Sequence, residues 1–443
     1  MGWKGRGVRY QLGRVLAVGA AALSASVLAA SAAMASWTPH VAVSPSGWIS
    51  VWQRTALDRS GDALLMWVAL PPGSNVYHVQ ERTRSRTGVL GPIRTLSTQT
   101  DEGIWADAAM SPRGVGVVAW PAANVGPVLA RQVARSGKPG PLLNMSPGVG
   151  DIIQVRTAML PSGAALVAWE GGQDGVQARF ISPTGKLGPL LSLGGAPLGN
   201  PPRIAVSPAG VVTVAWTGFK GVDAVRLTSP TSPPSGVKNV IPNAARTSYH
   251  VQQIADDANG DTVFDVSTVT NLSNGSQVED LVWRAWSHSG RLGPVAKVAR
   301  NIDVVTSYAA MATDRNGNSI LAWSRYVTAH KSLVYRRRVT LGGKLGTPVV
   351  MGNGFAPAAT TDPAGSGMIA WQTIPLPQPG STGGVVGQIY ERPVTTTTGR
   401  FGTKHRVTAD GSTFELAENT SGQHAMIWQQ STPQYPAVAS FAP

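Results

Sequence analysis

Cysteine is absent from the 443 residues of this chain. Its absence excludes disulfide bridges, thiolate metal sites and a lipid-modified N-terminal cysteine. Histidine is scarce, and the seven histidines form no H-x-x-x-H or H-x-H pair, which argues against a zinc site. The sequence therefore predicts no metal ligands of the zinc type.

Acidic residues are also few, with 23 Asp and Glu in total. Three turns that begin at Asp58, Asp257 and Asp314 hold closely spaced acidic or Asn residues, but they lack the spacing and distal Glu of an EF-hand. No G-x-S-x-G elbow, P-loop or dinucleotide fingerprint occurs in a suitable context. We therefore predict no catalytic residues and no cofactor, with calcium as the open alternative.

Long apolar runs are absent after residue 35, and none reaches the roughly 18 residues of a membrane span. Before that point, four basic residues between positions 4 and 14 precede an Ala-rich apolar stretch that ends in Ala33-Met34-Ala35. This order predicts a secretory signal peptide over residues 1–35 and a secreted or cell-surface protein. Membrane attachment is expected only if the leader stays uncleaved.

The lack of cysteine in an exported chain favours a bacterial origin. The bias toward Ala, Gly, Val, Pro and Arg indicates a GC-rich genome, such as that of an actinobacterium.

Glycine, in contrast, is abundant, and eight of the 51 glycines mark a repeat. Each is followed by a short apolar run, as in SPAGVVTVAW, and the eighth copy, DANGDTVFDV, carries Val266 where the others have Trp. The tryptophans, six residues after their glycines, are Trp67, Trp120, Trp169, Trp216, Trp323, Trp371 and Trp428. The glycines are 47 to 57 residues apart, close to the length of a four-stranded propeller blade, about 40–50 residues.

Each repeat predicts four β-strands. A short first strand, such as RIAV, leads into an Asp/Ser-x-x-Gly turn, where Gly supplies a positive φ. The next strand, VVTVAW, lacks polar alternation, as expected for a strand buried on both faces between neighbouring blades. A more polar third strand and a second glycine turn precede the fourth strand, as in GPLLSL.

We therefore expect an all-β fold, a single eight-bladed β-propeller of four-stranded antiparallel blades over residues 36–443. The last unit lacks a fourth-strand motif, whereas WTPHVAVS at 37–44 resembles one, so the N- and C-terminal strands should pair and close the ring. The expected units are 53–98, 103–147, 152–195, 200–242, 248–299, 304–352, 356–408, and 411–443 together with 36–45.

Polar residues stand seven positions before most of the repeat glycines, in the strand predicted to line the channel. The eight residues at this position, called here the ring residues, are Arg54, Asp107, Arg156, Arg203, Gln253, Ala310, Ala358 and Glu415. If the strand registers agree, the six polar members form a ligand-binding ring at the channel mouth. The three arginines could clamp a carboxylate or sulfate; alternatively, Asp107 and Glu415 could pair with them in a structural network.

The repeat tryptophans are predicted to pack between blades, because a position filled identically in nearly every blade is architectural. Aromatic residues outside the repeat are better ligand-binding candidates. These are Trp48, Trp52, Trp105, Trp283, Trp286 and Tyr308.

The net charge is +14, of which the leader carries four, leaving about +10. Basic proteins are drawn to anionic surfaces, although codon bias and solubility also explain the excess. The spread of basic residues along the repeats argues against nucleic-acid binding. A cell-envelope glycan, another anionic polymer, or a protein docked on the insertions at 267–280 and 373–387 are the expected partners of a monomer.

The D-x-x-G-[ND]-x-apolar-x-x-W segments resemble those of secreted bacterial β-propeller repeat proteins of the NHL, SBBP and sialidase-like groups. The resemblance covers roughly residues 37–443. Similarity to sialidases implies an arginine triad, which Arg54, Arg156 and Arg203 would match, and a tyrosine nucleophile, either Tyr249 or Tyr308.

Three hypotheses of function follow. The leading one is an exported, non-enzymatic binding or scaffold protein at the cell envelope, with an acidic glycan as a candidate ligand. The second is a glycan-cleaving enzyme of the sialidase or polysaccharide-lyase type, and the third is a protein-docking platform.

Overall fold

A computed structural model describes residues 36–98, 105–122, 126–147, 154–195, 201–302, 309–328, 331–373, 387–430 and 435–443. Within these ranges the chain forms 32 β-strands and one short 3-10 helix, Gly172–Asp174. The strands make eight four-stranded antiparallel sheets. The expected all-β, eight-bladed propeller is confirmed, and Ser36–Pro443 forms one compact unit.

Each blade contributes one strand to the wall of the channel. These inner strands are β2 (Ile49–Leu57), β6 (Asp107–Met110), β10 (Val155–Met159), β14 (Arg203–Val206), β18 (Thr247–Asp256), β22 (Ala309–Thr313), β26 (Phe355–Thr361) and β30 (Ser412–Glu418). The second strands are β3 (Ala63–Leu70), β7 (Gly116–Pro121), β11 (Ala165–Glu170), β15 (Val212–Gly218), β19 (Thr262–Asn271), β23 (Ser319–Thr328), β27 (Ser366–Thr373) and β31 (His424–Gln429).

Two further strands complete each blade toward the rim. The third strands are β4 (His78–Arg84), β8 (Val128–Val133), β12 (Val176–Ile181), β16 (Gly221–Leu227), β20 (Gln277–Trp286), β24 (Lys331–Val339), β28 (Gln388–Thr395) and β32 (Ala437–Ala442). The outer strands are β5 (Arg94–Thr95), β9 (Leu143–Asn144), β13 (Leu187–Gly194), β17 (Lys238–Pro242), β21 (Ala296–Ile302), β25 (Val349–Asn353), β29 (His405–Thr408) and, in blade eight, β1 (Val41–Ala42).

The ring closes through the two ends of the chain. Neighbouring inner strands contact one another around the axis, and β30 contacts β2. In blade eight, β1 pairs with β32, so that Val41 lies opposite Ala439. The segment after Trp428 supplies the third strand of this blade, and the N-terminal segment supplies the fourth. The predicted closure is therefore confirmed.

The second strands are apolar on both faces because each blade packs against two neighbours. All seven repeat tryptophans are at most 4% exposed. Trp67 lies in a cluster with Ala425 and Phe441 of blade eight, and Trp120 lies in a cluster with Val68 of blade one. The tryptophan of a blade thus fills the interface with the preceding blade, as predicted.

Tyr249 takes over this role in blade five, where Val266 replaces the tryptophan. It is 6% exposed and lies in one cluster with Val266 between blades four and five. Its hydroxyl donates a hydrogen bond to the carbonyl of Pro242, at the end of β17, over 3.2 Å. In blade seven, Nε1 of Trp371 donates in the same way to the carbonyl of Asn353, at the end of β25.

An arginine in the third strand of five blades bonds the carbonyl of a glycine nine residues later, over 2.6 to 2.8 Å. We call these the arginine staples. They are Arg82–Gly91, Arg131–Gly140, Arg179–Gly188, Arg284–Gly293 and Arg337–Gly346. In four of them, all except that of Arg82, the guanidinium also bonds a carbonyl in or beside the preceding blade's outer strand. Part of the positive charge therefore joins blades together.

The turns between the first two strands hold their own acidic residues. Oδ1 of Asp58 accepts the N–H groups of Ser60 and Asp62, and Asp257 and Asp314 bond their turns in the same way. Gly61 adopts a φ of 89°, which a β-carbon would disfavour. These carboxylates thus act as turn acceptors.

The insertion predicted at 267–280 is regular structure. It lengthens β19 and β20 to ten residues each, joined by a tight turn after Asn271. Residues 374–386 of the other predicted insertion, and the predicted signal peptide, lie outside the described residues. Within the described ranges, no helix has the length and apolar character to cross a membrane.

Candidate functional site at the channel mouth

The ring residues occupy the same place in every blade. Each one pairs with the residue directly before the repeat tryptophan or its replacement, so that Arg156 opposes Ala168 and Arg203 opposes Ala215. The other six blades keep this register. All eight ring residues line one central cavity of about 680 Å³, a volume within the range of about 300–1,000 Å³ that is usual for ligand sites.

Arg54 is neutralised inside this cavity. Its Nε lies 2.9 Å from Oδ1 of Asp107, and its Nη1 lies 3.4 Å from Oε2 of Glu415. Burial opposes the charge of Arg54, but Glu415 and Asp107 outweigh this effect and raise its pKa. The structural network that we considered as an alternative therefore exists for this arginine.

Asp107 and Gln253 also tie neighbouring inner strands together. Oδ2 of Asp107 accepts the N–H of Thr157 over 2.8 Å, and Oε1 of Gln253 accepts the N–H of Met311. Both donors directly follow the ring residue of the next blade. These two side chains hold the cavity wall in register.

Arg156 and Arg203 are different because no carboxylate of the described residues lies within salt-bridge distance of either one. Arg156 donates from Nη1 to the carbonyl of Val155 over 2.9 Å, and Arg203 donates from Nε to that of Val251 over 3.0 Å. A guanidinium carries five N–H donors. Most of the donors of both arginines are thus left for a ligand in the cavity.

The surroundings disfavour the charges of these two arginines. Burial, reinforced by Arg156 and Arg54, lowers the pKa of Arg203 to about 9, and burial also lowers the pKa of Arg156. Arginine stays protonated at neutral pH, so the shifts indicate positive charge that Asp107 and Glu415 compensate only in part. An anion in the cavity would relieve this cost.

Asp265 interacts electrostatically with Arg203 but is deeply buried. It lies opposite Gln253 in the β18–β19 pair, is fully buried, and has no hydrogen-bond partner for either carboxylate oxygen within the described structure. Burial raises its pKa well above the usual value, although Arg203 acts in the opposite direction. Burial thus opposes the negative charge with which Asp265 would compensate Arg203.

Aromatic side chains line the cavity in other blades than those of Arg156 and Arg203. Blades seven, eight and one contribute Phe355, Phe414 and Trp52. Trp52 donates from Nε1 to the carbonyl of Ala106 over 2.6 Å, which fixes its ring. The guanidinium of Arg54 lies 4.8 Å from the centre of this ring. The cavity therefore has a cationic side at Arg156 and Arg203 and an aromatic side at Phe355, Phe414 and Trp52, which also contacts Arg54.

The aromatic side has an unusual backbone. Four non-glycine residues with positive φ each lie two positions before a ring residue, in blades seven, eight, one and two. They are Ala356, Thr413, Trp52 and Trp105. Such conformations are uncommon outside glycine and cluster at functional sites. They therefore indicate that this part of the channel mouth belongs to the candidate site.

The other aromatic residues predicted to bind a ligand do not all lie at the cavity. Trp105 packs edge-on against Trp52, with ring centroids 4.2 Å apart. Trp283 and Trp286 are 0% and 5% exposed, so their rings lie between blades and away from the cavity. Trp48 is half-buried beside His78.

The tyrosines expected from the sialidase resemblance do not complete a nucleophile site in the described structure. The hydroxyl of Tyr249 bonds the carbonyl of Pro242 and the N–H of Ala244, because this side chain replaces the missing tryptophan between blades. Its assignment as a nucleophile facing the arginines is therefore corrected. Tyr308 lies outside the described residues.

A smaller pocket of about 310 Å³ adjoins the central cavity between blades four and five. It is lined by Pro201, Arg203, Thr217, His250, Val251, Gln252 and Ser267. Arg203 and Gln252 line both spaces. We name this space the side pocket.

Sequence reasoning missed Gln252 and His250. Gln252 is the extra residue of a β-bulge, because the pairing jumps from Val251–Val266 to Gln253–Asp265. A bulge leaves no residue-type signature in one blade of a repeat. The available signals were the loss of tryptophan at position 266 and the polar residues around it.

Across the described ranges, no three His, Cys, Asp or Glu side chains are grouped to hold a metal ion. The described residues of the Asp turns therefore do not form a cluster of this kind that would hold calcium.

No protein-family model matches the sequence, and no curated protein sequence matches it. Solved structures do match in fold. A protein of unknown function from Dyadobacter fermentans aligns with a TM-score of 0.45 and 11% identity, over 92% of this chain and 98% of the other. The polysaccharide lyase Uly1 aligns with a TM-score of 0.47 and 9% identity, over 74% and 88%.

A variant of the NanB sialidase from Streptococcus pneumoniae aligns with a TM-score of 0.39 and 9% identity, over 92% of this chain and 70% of the other. At these identities the likeness is one of overall fold, and no site residue is carried over from it. The chain is an eight-bladed propeller whose mouth holds a cationic and aromatic cavity.

Proposed function

We propose that this protein is an exported binding protein of the cell envelope that holds an acidic saccharide in the central cavity. The observation that carries the proposal is the pair Arg156 and Arg203, which face the cavity without a carboxylate partner among the described residues. Two such guanidinium groups suit a carboxylate or sulfate, because they offer paired, charge-assisted hydrogen bonds.

The rest of the cavity favours a sugar over a simple anion. Gln252 and Thr413 supply an amide and a hydroxyl group for sugar hydroxyls. The aromatic side, with Trp52 and Phe414, offers apolar surface to the C–H face of a pyranose ring. An acidic sugar has the anionic group and the apolar face that these two sides would accept together.

The test is calorimetric titration of the purified protein with uronic-acid oligosaccharides and with their neutral counterparts. Replacing both arginines, Arg156→Gln and Arg203→Gln, should weaken acidic-saccharide binding by about tenfold to a hundredfold, since charge-assisted bonds contribute about 1.5–3 kcal/mol. Arg113→Gln is the matched control, because Arg113 is exposed in a turn of blade two. Equal binding of acidic and neutral sugars would count against the proposal.

Cleavage of the bound saccharide is a second candidate, favoured by Glu415. Burial raises the pKa of Glu415, with Arg54 acting against this effect, and the side chain lines the cavity. A carboxyl with a raised pKa can serve as a general acid. New reducing ends that vanish in Glu415→Gln would indicate cleavage, whereas binding without product supports the binding protein.

A further inference from the structure

The side pocket and the single exception in the tryptophan repeat coincide. Both lie between blades four and five, where Val266 replaces tryptophan and Tyr249 closes the outer part of the interface. The same blade carries the longest inner strand, β18, with ten residues. Blade five is thus built differently from its neighbours at the point where the side pocket meets the cavity.

The bulge in β18 connects the two spaces. It adds Gln252 to the inner strand, and the side chain of this residue donates to Oγ of Ser267 over 3.0 Å. Bulges commonly re-aim side chains beside binding sites. Because Gln252 lines both the central cavity and the side pocket, the wall between them is formed by this residue and Arg203.

The chemistry of the side pocket is polar and nearly neutral. Thr217 and Ser267 bring hydroxyl oxygens, of which that of Thr217 donates to the carbonyl of Tyr249 and that of Ser267 accepts from Gln252. His250 brings an imidazole whose pKa is lowered by burial. An imidazole that stays neutral near pH 7 can both donate and accept hydrogen bonds. Apart from Arg203 at its edge, the pocket therefore suits hydroxyl groups more than a second charge.

We propose that the ligand is a linear acidic oligosaccharide that spans both spaces, with an acidic group at Arg203 and the neighbouring, hydroxyl-rich sugar unit in the side pocket. This inference rests on the proposed function of the central cavity. It adds that recognition extends beyond one sugar unit. Blade five then sets the direction in which the oligosaccharide leaves the mouth of the channel.

The experiment compares ligand length. Affinities of the purified protein are measured for a uronic acid monosaccharide and for a dimer, trimer and tetramer in which uronic acid and neutral sugar units alternate. We expect the affinity to rise at least about tenfold from monomer to dimer or trimer, the equivalent of about 1.4 kcal/mol, and then to level off.

Two variants change residues that line the side pocket but not the central cavity, His250→Ala and Thr217→Val. Either should abolish the gain with length and leave monosaccharide affinity unchanged. His288→Ala is the matched control, since His288 is an exposed histidine in a turn of the same blade. Circular dichroism checks that each variant is folded, and two independent substitutions keep the test open if one is not.

The outcomes separate the two proposals. Equal affinity for monosaccharide and oligosaccharides in the wild-type protein would overturn the spanning ligand and leave the acidic-saccharide function standing. A length-dependent gain that persists in both variants would also overturn it. Failure to bind any acidic saccharide would instead overturn the proposed function itself.

Discussion

Arg54 and Arg203 occupy equivalent positions in their blades, but their surroundings give them different roles. Arg54 lies between Asp107 and Glu415 and is part of the wall. Arg203 bonds a single backbone carbonyl and keeps its charge available. The difference arises because the ring residues on either side of Arg54 are acidic, whereas those beside Arg203 are Arg156 and Gln253.

Asp107 should therefore be important for stability. Asp107→Asn keeps an oxygen that can accept the N–H of Thr157 but removes the charge that faces Arg54. We expect a loss of about 1–3 kcal/mol in the free energy of unfolding, because a partly buried guanidinium loses one of its two partners. Urea denaturation measures this loss.

The matched control is Asp174→Asn, since Asp174 is exposed in the 3-10 helix. It should stay within about 0.5 kcal/mol of the wild type. Similar losses for both variants would show that the pairing with Arg54 contributes little.

The ring could be predicted from the sequence residue by residue because the repeat fixes the register of every inner strand. The pairing partners could not be predicted. Which arginine meets an acid depends on the neighbouring blade, about 50 residues away, and on side-chain rotamers. The burial of Trp283 and Trp286 was missed for a related reason, because each replaces a smaller residue inside one interface and has no counterpart in the other blades.

At the scale of the elements, the arginine staples explain how third strands are held against outer strands. Outer strands such as β5 and β9 have only two residues each, so their own ladder bonds are few. The arginine bridges a glycine turn of its own blade and the edge of the preceding one. The spacing of nine residues between arginine and glycine is readable in the sequence. Interpreting these arginines only as basic charge spread along the repeats overlooks this signal.

Removing one staple should loosen two blades together. Arg337 donates to the carbonyls of Gly346 and Val298, each over 2.7 Å. In Arg337→Met the packing of the aliphatic stem is kept, but both carbonyls lose a charged donor, so the free energy of unfolding should fall by about 1–3 kcal/mol. Thermal denaturation followed by circular dichroism measures the change.

Arg325→Met provides the control, since Arg325 is exposed in β23 of the same blade. Little change is expected there. If Arg337→Met were as stable as this control, the staple would be a consequence of blade packing and would not contribute to it.

On the scale of the whole molecule, several carboxyl groups are buried so deeply that the cost of burial outweighs any nearby positive charge, including that of Arg94 beside Glu81. Burial raises the pKa of Glu81, Glu391 and Asp256 to about 7, and that of Glu418 to about 8. A raised carboxyl pKa means that the folded state holds the proton more tightly than the unfolded state. Their contribution to stability is present at low pH and is lost as the pH rises from about 4.5 through these values.

The protein should accordingly be more stable near about pH 5.5 than near about pH 8.5, by several degrees in Tm, since each pKa unit corresponds to about 1.4 kcal/mol. His424 opposes the trend only below about pH 6.5, because burial lowers its pKa to about 4. Scanning calorimetry at a series of pH values tests this expectation, and Glu418→Gln should flatten the curve. A Tm that rises toward alkaline pH would contradict it.

The overall architecture was the most predictable level, because eight copies of one pattern constrain it jointly. Closure by the first strand followed from one missing and one extra segment. What the repeat could not reveal is where the symmetry breaks. The loss of tryptophan at Val266 occurs once along the chain, and the inner-strand bulges occur in blades one, five, seven and eight without a shared residue type.

Closure also has a consequence for the order of assembly. The N–H of Phe441 bonds Oγ1 of Thr38, a partner 403 positions away, whereas the other seven blades each fold from one continuous stretch. A contact between such distant residues is slow to form, since much of the chain must be ordered first. A growing polypeptide would therefore hold an open crescent with unpaired strand edges until its last strand arrives, and this interval is when chaperones, proteases and aggregation compete for it.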